Sequence, residues 1–468
     1  MKFSVEVGSL RDAVSHAKAT TDSTLPIFQG LFLKASWTDN GGKLELFSMK
    51  AGAKSLFTIP ATVTEEGFDV VRGEQLLSGL HGQKADKLVT FNFSKTLSRP
   101  RASCNGSSFG MVTLDGKQQF SQNLKALPVA SADGPVYDVS LLRGAIKRAA
   151  WCAKDSSNIT VSALDFKTTP EGYKVFASDG YIAVRVEVRT DHASNDQVIL
   201  RESLETLNKF LSVDPDSQVH LIHGPEIDGL VRETFFRAPG CLYGSNVCVD
   251  TMPNIEPIFF KRDFLPQREV LVTKSSMASA LGRIAGFVEK GIPSVKLSLR
   301  GSVLTLSTAS EDGDCVEKLE VIYSDNSKLK ESAEATVVYV SSVYLLKVLS
   351  SIESEVIVIG MRNAMSPLIV SDEQNDEINT RYVIMTVRGN FEAKDEETAE
   401  VSVVVPAPVG EVLAVEQVFD GVDTSELLPE EGGPGDFDPG DDDSGDDEGL
   451  EEAADDRSTS NELPVGSV

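Results

Sequence analysis

Residues of the types that catalyse reactions or bind metals occur in this sequence, but they do not form recognisable sets. The five histidines include no H-E-x-x-H motif, and the five cysteines include no C-x-x-C pair. His220 and His223 end a strand-like run, a position more typical of surface residues than of a metal pair. We therefore expect a binding or structural protein without catalytic residues, metal or cofactor. An enzyme with an unrecognised site is the alternative.

The cysteines and the absence of long apolar runs indicate where the protein works. An odd number of scattered cysteines is typical of reduced thiols in a reducing compartment. The sequence has no run of 18 apolar residues, and residues 1–7 alternate like a strand rather than forming a signal peptide. We expect a soluble, cytoplasmic protein that does not enter a membrane.

Acidic residues are concentrated at the C-terminal end. The 468-residue chain has 71 Asp and Glu, 44 Lys and Arg and a net charge of −27. Residues 391–468 contain 25 acids and 2 bases, which leaves 46 acids and 42 bases in the preceding 390 residues. The tail is therefore predicted to be mostly disordered, while the nearly neutral body does not exclude a nucleic-acid partner. An acidic DNA mimic or regulatory protein built around the tail is a second alternative.

Three similar patterns recur along the body. Each begins with a short amphipathic helix, continues with alternating strands around a Gly-containing turn, and ends with a strand that runs into a second helix. The first helices start near Leu10, Leu141 and Met277, which are 131 and then 136 residues apart. The sequence predicts an α+β fold of three tandem domains, each with two helices packed on antiparallel sheets of roughly eight strands. The expected bounds are 1–128, 136–262 and 268–390, followed by the tail at 391–468.

Basic residues recur on the first helices of the three copies and just beyond them. Such residues are most often part of a solvated helix face, but their recurrence favours a surface that contacts phosphates without reading sequence. Twelve helices of about 10 Å diameter, from two chains, would enclose a hole of about 30 Å, wide enough for a DNA duplex. A further base of the same helical stretch, Arg148, follows Lys147 directly and is interpreted as part of the same basic surface. The expected DNA-facing residues are Arg11, Lys18, Arg143, Lys147, Lys154, Lys274 and Arg283.

Five stretches of the body resemble, in order and spacing, motifs of the bacterial β sliding clamp, the processivity subunit of replicative DNA polymerase III. The resemblance covers residues 1–389 and leaves open whether a bacterium or a phage encodes the protein. The stretches are MKFSVEVGSLRDAV from Met1, TLPIFQGLFLKA from Thr24, FASDGYIAV from Phe176, MPNIEPIF from Met252 and YVIMTVRG from Tyr382.

The resemblance implies a head-to-tail homodimeric ring of six DNA-clamp domains, with helices inside and sheets outside. Such a ring encircles double-stranded DNA and slides along it, a clamp loader opens it, and the clamp itself hydrolyses nothing. DNA polymerase and other partners would dock a short peptide, roughly Q-x-[LM]-x-F, in a mainly apolar pocket between the second and third domains. The pocket that the resemblance implies consists of Val161, Ser178, Gly180, Tyr181, Ile182, Pro253, Ile258, Val383, Ile384, Met385 and Val387, with Ser366 at its rim.

This sequence departs from the family pattern in five places. Pro257 stands where many members have a base, and Thr386 replaces the near-terminal Pro. After the Asp-Gly of FASDGYIAV, either the family's Arg is replaced or one residue is deleted and Ile182 takes the place of the family's Leu. Ile159 and Thr160 stand where some relatives have aromatic residues that touch DNA. Family members usually end near Gly389, whereas this chain continues with a tail that contains an apolar segment, 401–419. Three roles are open for the tail: to solubilise or recruit partners, to dock in cis at the pocket through Glu416–Phe419, or to compete with DNA for the basic helices.

Overall fold

The chain divides into two units, Met1–Val422 and Asp423–Val468, and all the residues that the structure describes lie in the first. The tail that is predicted to be disordered, together with its apolar segment 401–419, lies outside the described residues. No helix among the described residues is long and apolar enough to cross a membrane. The computed structural model describes residues 1–22, 25–39, 41–94, 99–128, 134–154, 158–191, 196–224, 226–227, 230–231, 233–246, 253–288, 293–310, 313–324, 334–372 and 377–387.

The first repeat starts with a strand and an amphipathic helix. Val7, Leu10, Val14 and Ala17 form one buried face of this helix, the spacing expected when a helix packs on a sheet. A further helix, the last in the list, leads towards the second repeat. The elements are β1 (Lys2–Glu6), α1 (Val7–Lys18), β2 (Gly30–Thr38), β3 (Gly41–Lys50), β4 (Ala53–Pro60), β5 (Thr62–Glu65), β6 (Gly67–Arg72), α2 (Gly73–Leu80), β7 (Leu88–Asn92), β8 (Arg101–Cys104), β9 (Ser107–Gly110) and α3 (Lys117–Lys125), with a 3-10 turn at Pro26–Gln29.

The second repeat follows the same order. Its first long helix again buries one apolar face, formed by Val139, Leu142, Ile146 and Ala149. The elements are β10 (Val136–Asp138), α4 (Val139–Ala149), α5 (Ile159–Ser162), β11 (Ala163–Thr169), β12 (Gly172–Ser178), β13 (Ile182–Arg189), β14 (Gln197–Leu200), α6 (Arg201–Leu211), β15 (Gln218–His223), β16 (Glu226–Ile227), β17 (Leu230–Val231), β18 (Glu233–Ala238) and β19 (Cys241–Asn246), with 3-10 turns at Ala150–Cys152 and Glu256–Phe259.

The third repeat has the same succession once more. The Oγ of Ser341 accepts a hydrogen bond from the N–H of Tyr344 and so caps the second helix of this repeat. The elements are β20 (Arg268–Thr273), α7 (Lys274–Ile284), β21 (Ser294–Arg300), β22 (Val303–Ser310), β23 (Gly313–Glu320), β24 (Ile322–Tyr323), β25 (Thr336–Ser341), α8 (Ser342–Ser351), β26 (Val356–Met361), β27 (Leu368–Asp372) and β28 (Ile378–Ile384), with a 3-10 turn at Ala285–Phe287.

The three repeats share one strand topology. The triplets β2-β3-β4, β11-β12-β13 and β21-β22-β23 are equivalent antiparallel neighbours, as are β7-β8-β9, β15-β18-β19 and β26-β27-β28. One continuous hydrophobic core lies between helices and sheets and runs from Phe3 in the first repeat to Ile384 in the third. The predicted α+β architecture of three similar units is confirmed, while the exact domain bounds stay a prediction.

Two sheets continue across the boundaries between repeats. β4 pairs with β19, so the first and second repeats share an eight-stranded sheet. β13 pairs with β28 through seven residue pairs, so the second and third repeats share a nine-stranded sheet. The equivalent strands at the two ends are β9 in the first repeat and β23 in the third. Among the described strands, both of these lie at open sheet edges.

Candidate functional site

The turn between β12 and β13 is built around the side chain of Asp179. Its Oδ1 accepts hydrogen bonds from the N–H groups of Tyr181 and Ile182, at 2.8 and 2.9 Å. Ser178 Oγ donates to the carbonyl of Ile182 and accepts from the N–H of Gly180, whose φ of +91° suits a glycine. This network turns the chain sharply and leaves Tyr181 62% exposed at the corner.

A helix of the third repeat holds this turn of the second repeat in place. The hydroxyl of Tyr344, on α8, donates to Asp179 Oδ2 at 2.5 Å. Burial and this hydrogen bond raise the pKa of Tyr344, so its hydroxyl stays protonated and remains a donor. Lys154 Nζ lies 3.7 Å from the same carboxylate and 5.0 Å from the ring centroid of Tyr181. The corner is therefore a contact between repeats as well as a turn.

The register of β13 against β28 decides which side chains share a face. Ile182 pairs with Ile384, and Ala183 pairs with Val383. Because side chains alternate along strands, these two pairs point to opposite faces of the sheet. The first pair lies in the main core. The second lies in a separate apolar cluster that contains Phe176, Ala183, Phe259, Ile369 and Val383, with Ile255 and Ile258 packed against it.

The connector before the third repeat covers this apolar cluster. Its 3-10 turn is tied to β12 by an ion pair between Lys174 and Glu256, at 2.8 Å. A groove of about 400 Å³ opens beside it, lined by Pro257, Ile258, Phe260 and Lys261. The guanidinium of Arg185, on β13, lies 5.1 Å from the ring centroid of Phe260. The corner thus has an apolar floor and a partly basic rim.

The structure brings most of the residues expected in the pocket to this corner. The N–H of Met385 donates to the carbonyl of Tyr181 at 2.8 Å, and Val161 accepts from the N–H of Lys154. Pro253 is exposed, Met385 is 41% exposed, and Ser366 is buried with its Oγ donating to the carbonyl of Asp263. Partly exposed positions are Val161, Ser178, Ile258 and Val387, Gly180 is exposed, and Val383 is buried in the floor.

Two expected pocket residues do not reach this surface. Ile182 and Ile384 are 1% and 0% exposed and face the main core. Ala183 lies instead on the face of Val383, so it occupies the position for which Ile182 was considered. The strand pairing therefore favours the alignment without a deletion, in which Ile182 replaces the family's Arg and a small side chain stands where a large one was expected.

The bases expected to face DNA are mostly paired within the chain. Lys18 lies 2.9 Å from Glu74, Lys147 lies 3.7 Å from Glu353, and Arg283 donates two hydrogen bonds to Glu317. Hydrogen bonding to Arg283 lowers the pKa of Glu317, so this pair stays charged at neutral pH. Arg143 donates to Asn208 at 3.4 Å, Lys274 donates to the carbonyl of Ile352 at 3.0 Å, and Arg11 is half-buried on α1.

Arg148 differs from the other bases because it is buried. Its side chain is 0% exposed and donates to the carbonyl of Gly144 and to Glu353, at 3.1 and 3.2 Å. The hydroxyl of Tyr382 donates to the backbone carbonyl of Arg148 at 2.9 Å. The interpretation of Arg148 as part of a phosphate-facing surface is therefore wrong: it links the second repeat to the third.

A substitution at Tyr344 tests whether the third repeat holds the turn. In Tyr344→Phe, the carboxylate of Asp179 loses a donor, which should cost about 1–2 kcal/mol locally. The amides of Tyr181 and Ile182 should then exchange hydrogen about tenfold faster. The control is Tyr323→Phe, which removes a hydroxyl that donates to Gly301. Unchanged exchange at the turn in Tyr344→Phe would contradict the role given to α8.

Sequence patterns did not reveal Asp179 and Tyr344 as partners. The Asp-Gly pair signalled a turn, but nothing local links it to a hydroxyl 165 residues away. In Gly106–Gly110, which fits a G-x-S-x-G pattern, Gly106 ends a tight turn and Ser107–Gly110 form β9, which is not the strand-turn-helix of a hydrolase. Among the described residues, no group of three His, Cys, Asp or Glu is arranged to hold a metal ion.

Comparisons with known proteins agree with this architecture. The sequence model described as DNA polymerase III beta subunit, C-terminal domain, matches residues 265–388. A comparison with curated protein sequences found no match.

Solved structures of bacterial proteins share the fold of the body. The DNA polymerase III subunit beta of Pseudomonas aeruginosa aligns with a TM-score of 0.69 and 16% identity, over 83% of this chain and 100% of that chain. The beta subunit of Thermotoga maritima aligns with a TM-score of 0.69 and 18% identity, over 83% and 99%. The pol III beta of Caulobacter crescentus gives 0.66 and 19%, over 83% and 100%. The chain therefore has the fold of a bacterial-type β sliding clamp, and its third repeat belongs to the C-terminal domain family of the DNA polymerase III beta subunit.

Proposed function

We propose that this chain is a sliding clamp for DNA replication, a non-catalytic homodimeric ring that encircles double-stranded DNA and tethers a DNA polymerase. One observation carries the proposal: equivalent edge strands join the first repeat to the second and the second to the third, and leave β9 and β23 open. A head-to-tail second copy would pair these edges and close a ring of six repeats. The similarity to solved structures of DNA polymerase sliding clamps supports the same role. We propose that a clamp loader opens the ring.

The helix contacts at the two junctions within the chain suggest which helices would meet at the third junction, the one between two chains. At the first junction, Thr206 of α6 donates to the carbonyl of Ala19, just after α1, at 3.5 Å. At the second, Glu353, just after α8, accepts from Arg148 of α4. In each case the second helix of one repeat meets the end of the first helix of the preceding repeat. Between two copies, α2 would therefore meet the end of α7.

Within the part of the chain that the structure describes, both surfaces of that third junction are at least partly exposed. A groove of about 460 Å³ on α2 is lined by Leu77, Ser78 and His81. Ser78 occupies the position in α2 that Thr206 occupies in α6. Phe287, in the 3-10 turn after α7, is 38% exposed. We infer that Phe287 of one chain packs against the α2 groove of the next.

The helix bases suit loose contact with DNA. A base already paired with Glu74, Glu353 or Glu317 gains little by exchanging that partner for a phosphate. Loose and sequence-independent phosphate contacts are what a sliding ring needs, since tight ones would hold it in one place.

The apolar corner at the second junction is the proposed docking site for partner peptides. At the first junction, the strand pair equivalent to Ala183 and Val383 is Lys54 and Gly244, and Lys54 forms an ion pair with Glu233. At this point of the sheet, an apolar peptide side chain would therefore find an apolar floor at the second junction and an ion pair at the first. We assign the docking of a DNA polymerase peptide to the second junction.

The topology of the DNA tests the ring. After loading by a clamp loader and ATP, the protein should stay on nicked circular DNA through gel filtration and leave the same DNA once it is linearised. Its mass in light scattering should be about twice the 50.4 kDa of one chain. The control is linear DNA with blocked ends, which should retain the ring. Equal retention on open linear and circular DNA would contradict encirclement.

A further inference from the structure

Lys154 is placed differently from the other bases that were expected to face DNA. Its Nζ lies 5.0 Å from the ring centroid of Tyr181, and its backbone N–H donates to the carbonyl of Val161 at 2.5 Å. Tyr181 and Val161 both belong to the proposed peptide site. Lys154 therefore stands at the rim of the apolar corner, beyond the 3-10 turn that follows α4.

The ammonium of Lys154 is not committed to its nearest carboxylate. Asp179 Oδ1 already accepts two backbone N–H groups, and Oδ2 accepts the hydroxyl of Tyr344. The 3.7 Å between Lys154 Nζ and Asp179 Oδ2 is longer than a hydrogen bond, and the lysine side chain is 47% exposed. As far as the described residues show, its donors are available to an arriving carboxylate without breaking a hydrogen bond to Asp179.

Two contacts keep this charge beside the apolar corner. The exposed ring of Tyr181 attracts the ammonium through its π face, and the fixed charge of Asp179 draws it from the other side. A lysine that is held in place loses less side-chain entropy when a ligand arrives than a free surface lysine does. The rim is thus prepared for an anion next to an apolar surface.

We propose that Lys154 is a specificity-determining residue of the peptide site and selects peptides with an acidic side chain next to their apolar anchors. This inference rests on the proposed docking function of the corner. A DNA phosphate is the other anion that the ammonium could meet. The position of Lys154 against Val161 and Tyr181 favours the peptide, because both neighbours belong to the proposed peptide site.

A charge series on the chain and on the peptide tests the selection. The probes are the synthetic peptides Gln-Ala-Leu-Asp-Phe and Gln-Ala-Leu-Asn-Phe, titrated into the full chain at low salt. The Asp peptide should bind about three- to tenfold more tightly to the unaltered chain. This preference should disappear in Lys154→Met, invert in Lys154→Glu and persist in Lys154→Arg. Lys87→Glu is the matched control, since Lys87 is also 47% exposed but lies in the first repeat.

Each possible result bears on the inference. Loss of the preference in Lys154→Met with unchanged affinity for the Asn peptide supports it. Equal loss for both peptides, or a preference that survives Lys154→Met, contradicts selection while leaving the groove intact. Failure of both peptides to bind the unaltered chain contradicts the groove and the selection together. A salt dependence of DNA binding that falls by about one ion in Lys154→Glu, with peptide preference unchanged, assigns Lys154 to phosphate instead.

Discussion

Replacing Phe287 with Asp is expected to convert the proposed ring into single chains. Phe287 is 38% exposed, and its ring packs over Gly313, the first residue of the open strand β23. In the proposed dimer it fills the groove on α2, so the substitution removes an aromatic anchor and buries an unpaired carboxylate. Removing a central interface aromatic costs about 2–4 kcal/mol, which corresponds to about 30- to 1000-fold in the dissociation constant. A ring dimer has two such interfaces, so it loses this binding free energy twice.

The measurements are mass by light scattering and retention on nicked circular DNA. The matched control is Phe260→Asp: Phe260 is 51% exposed but lies in the connector on the outer side of the second junction. The control should stay dimeric and stay on circular DNA. If Phe287→Asp also remains a dimer and is fully retained on nicked circular DNA, the third junction does not use the end of α7.

The sequence revealed the repeat because its signals are local. Alternation in strands and apolar spacing in helices are properties of short segments, so the three copies could be recognised one by one. The pairing of β13 with β28 joins residues 190 to 202 positions apart, and no local pattern encodes it. The sheet that crosses the second junction, and the corner it forms, emerge only when the chain folds.

The two bases at the end of the second repeat's first helical region show the same limit. Arg148 and Lys154 look alike in sequence, yet one is buried and the other is at a groove rim. The difference comes from the third repeat. Its Glu353 accepts a hydrogen bond from Arg148, and its Tyr344 donates one to Asp179, the carboxylate nearest to Lys154. A solvated helix face predicted from local spacing can thus be covered by a distant segment.

The face of the sheet on which Ile182 and Ala183 lie could also be determined only from the structure. The motif at residues 176–184 could be aligned with the family in two ways, and each placed Ile182 differently. A shift of one residue exchanges the two faces of a strand, so the question is decided by the pairing with β28. That pairing gives the pocket face to Ala183.

Removing the exposed side chains at the corner should abolish peptide docking and leave the ring unchanged. Tyr181 is 62% exposed and Met385 is 41% exposed, and they are joined by a backbone hydrogen bond that does not depend on either side chain. The double variant Tyr181→Ala, Met385→Ala therefore keeps the turn but loses the apolar surface on both sides of the entrance. Two such anchors carry about 2–4 kcal/mol of binding free energy together, so peptide affinity should fall by about 30- to 1000-fold.

The readouts separate docking from encirclement. Affinity for the peptide Gln-Ala-Leu-Asn-Phe should collapse, while the dimer mass and the retention on nicked circular DNA stay as in the unaltered chain. Ile322→Ala is the control, because Ile322 is 72% exposed on β24 of the same repeat and lies outside the groove. A double variant that binds the peptide normally would move the docking site away from the second junction. A double variant that instead loses its dimer would show that the corner supports the ring itself, since Tyr181 and Met385 connect the second repeat to the end of the third.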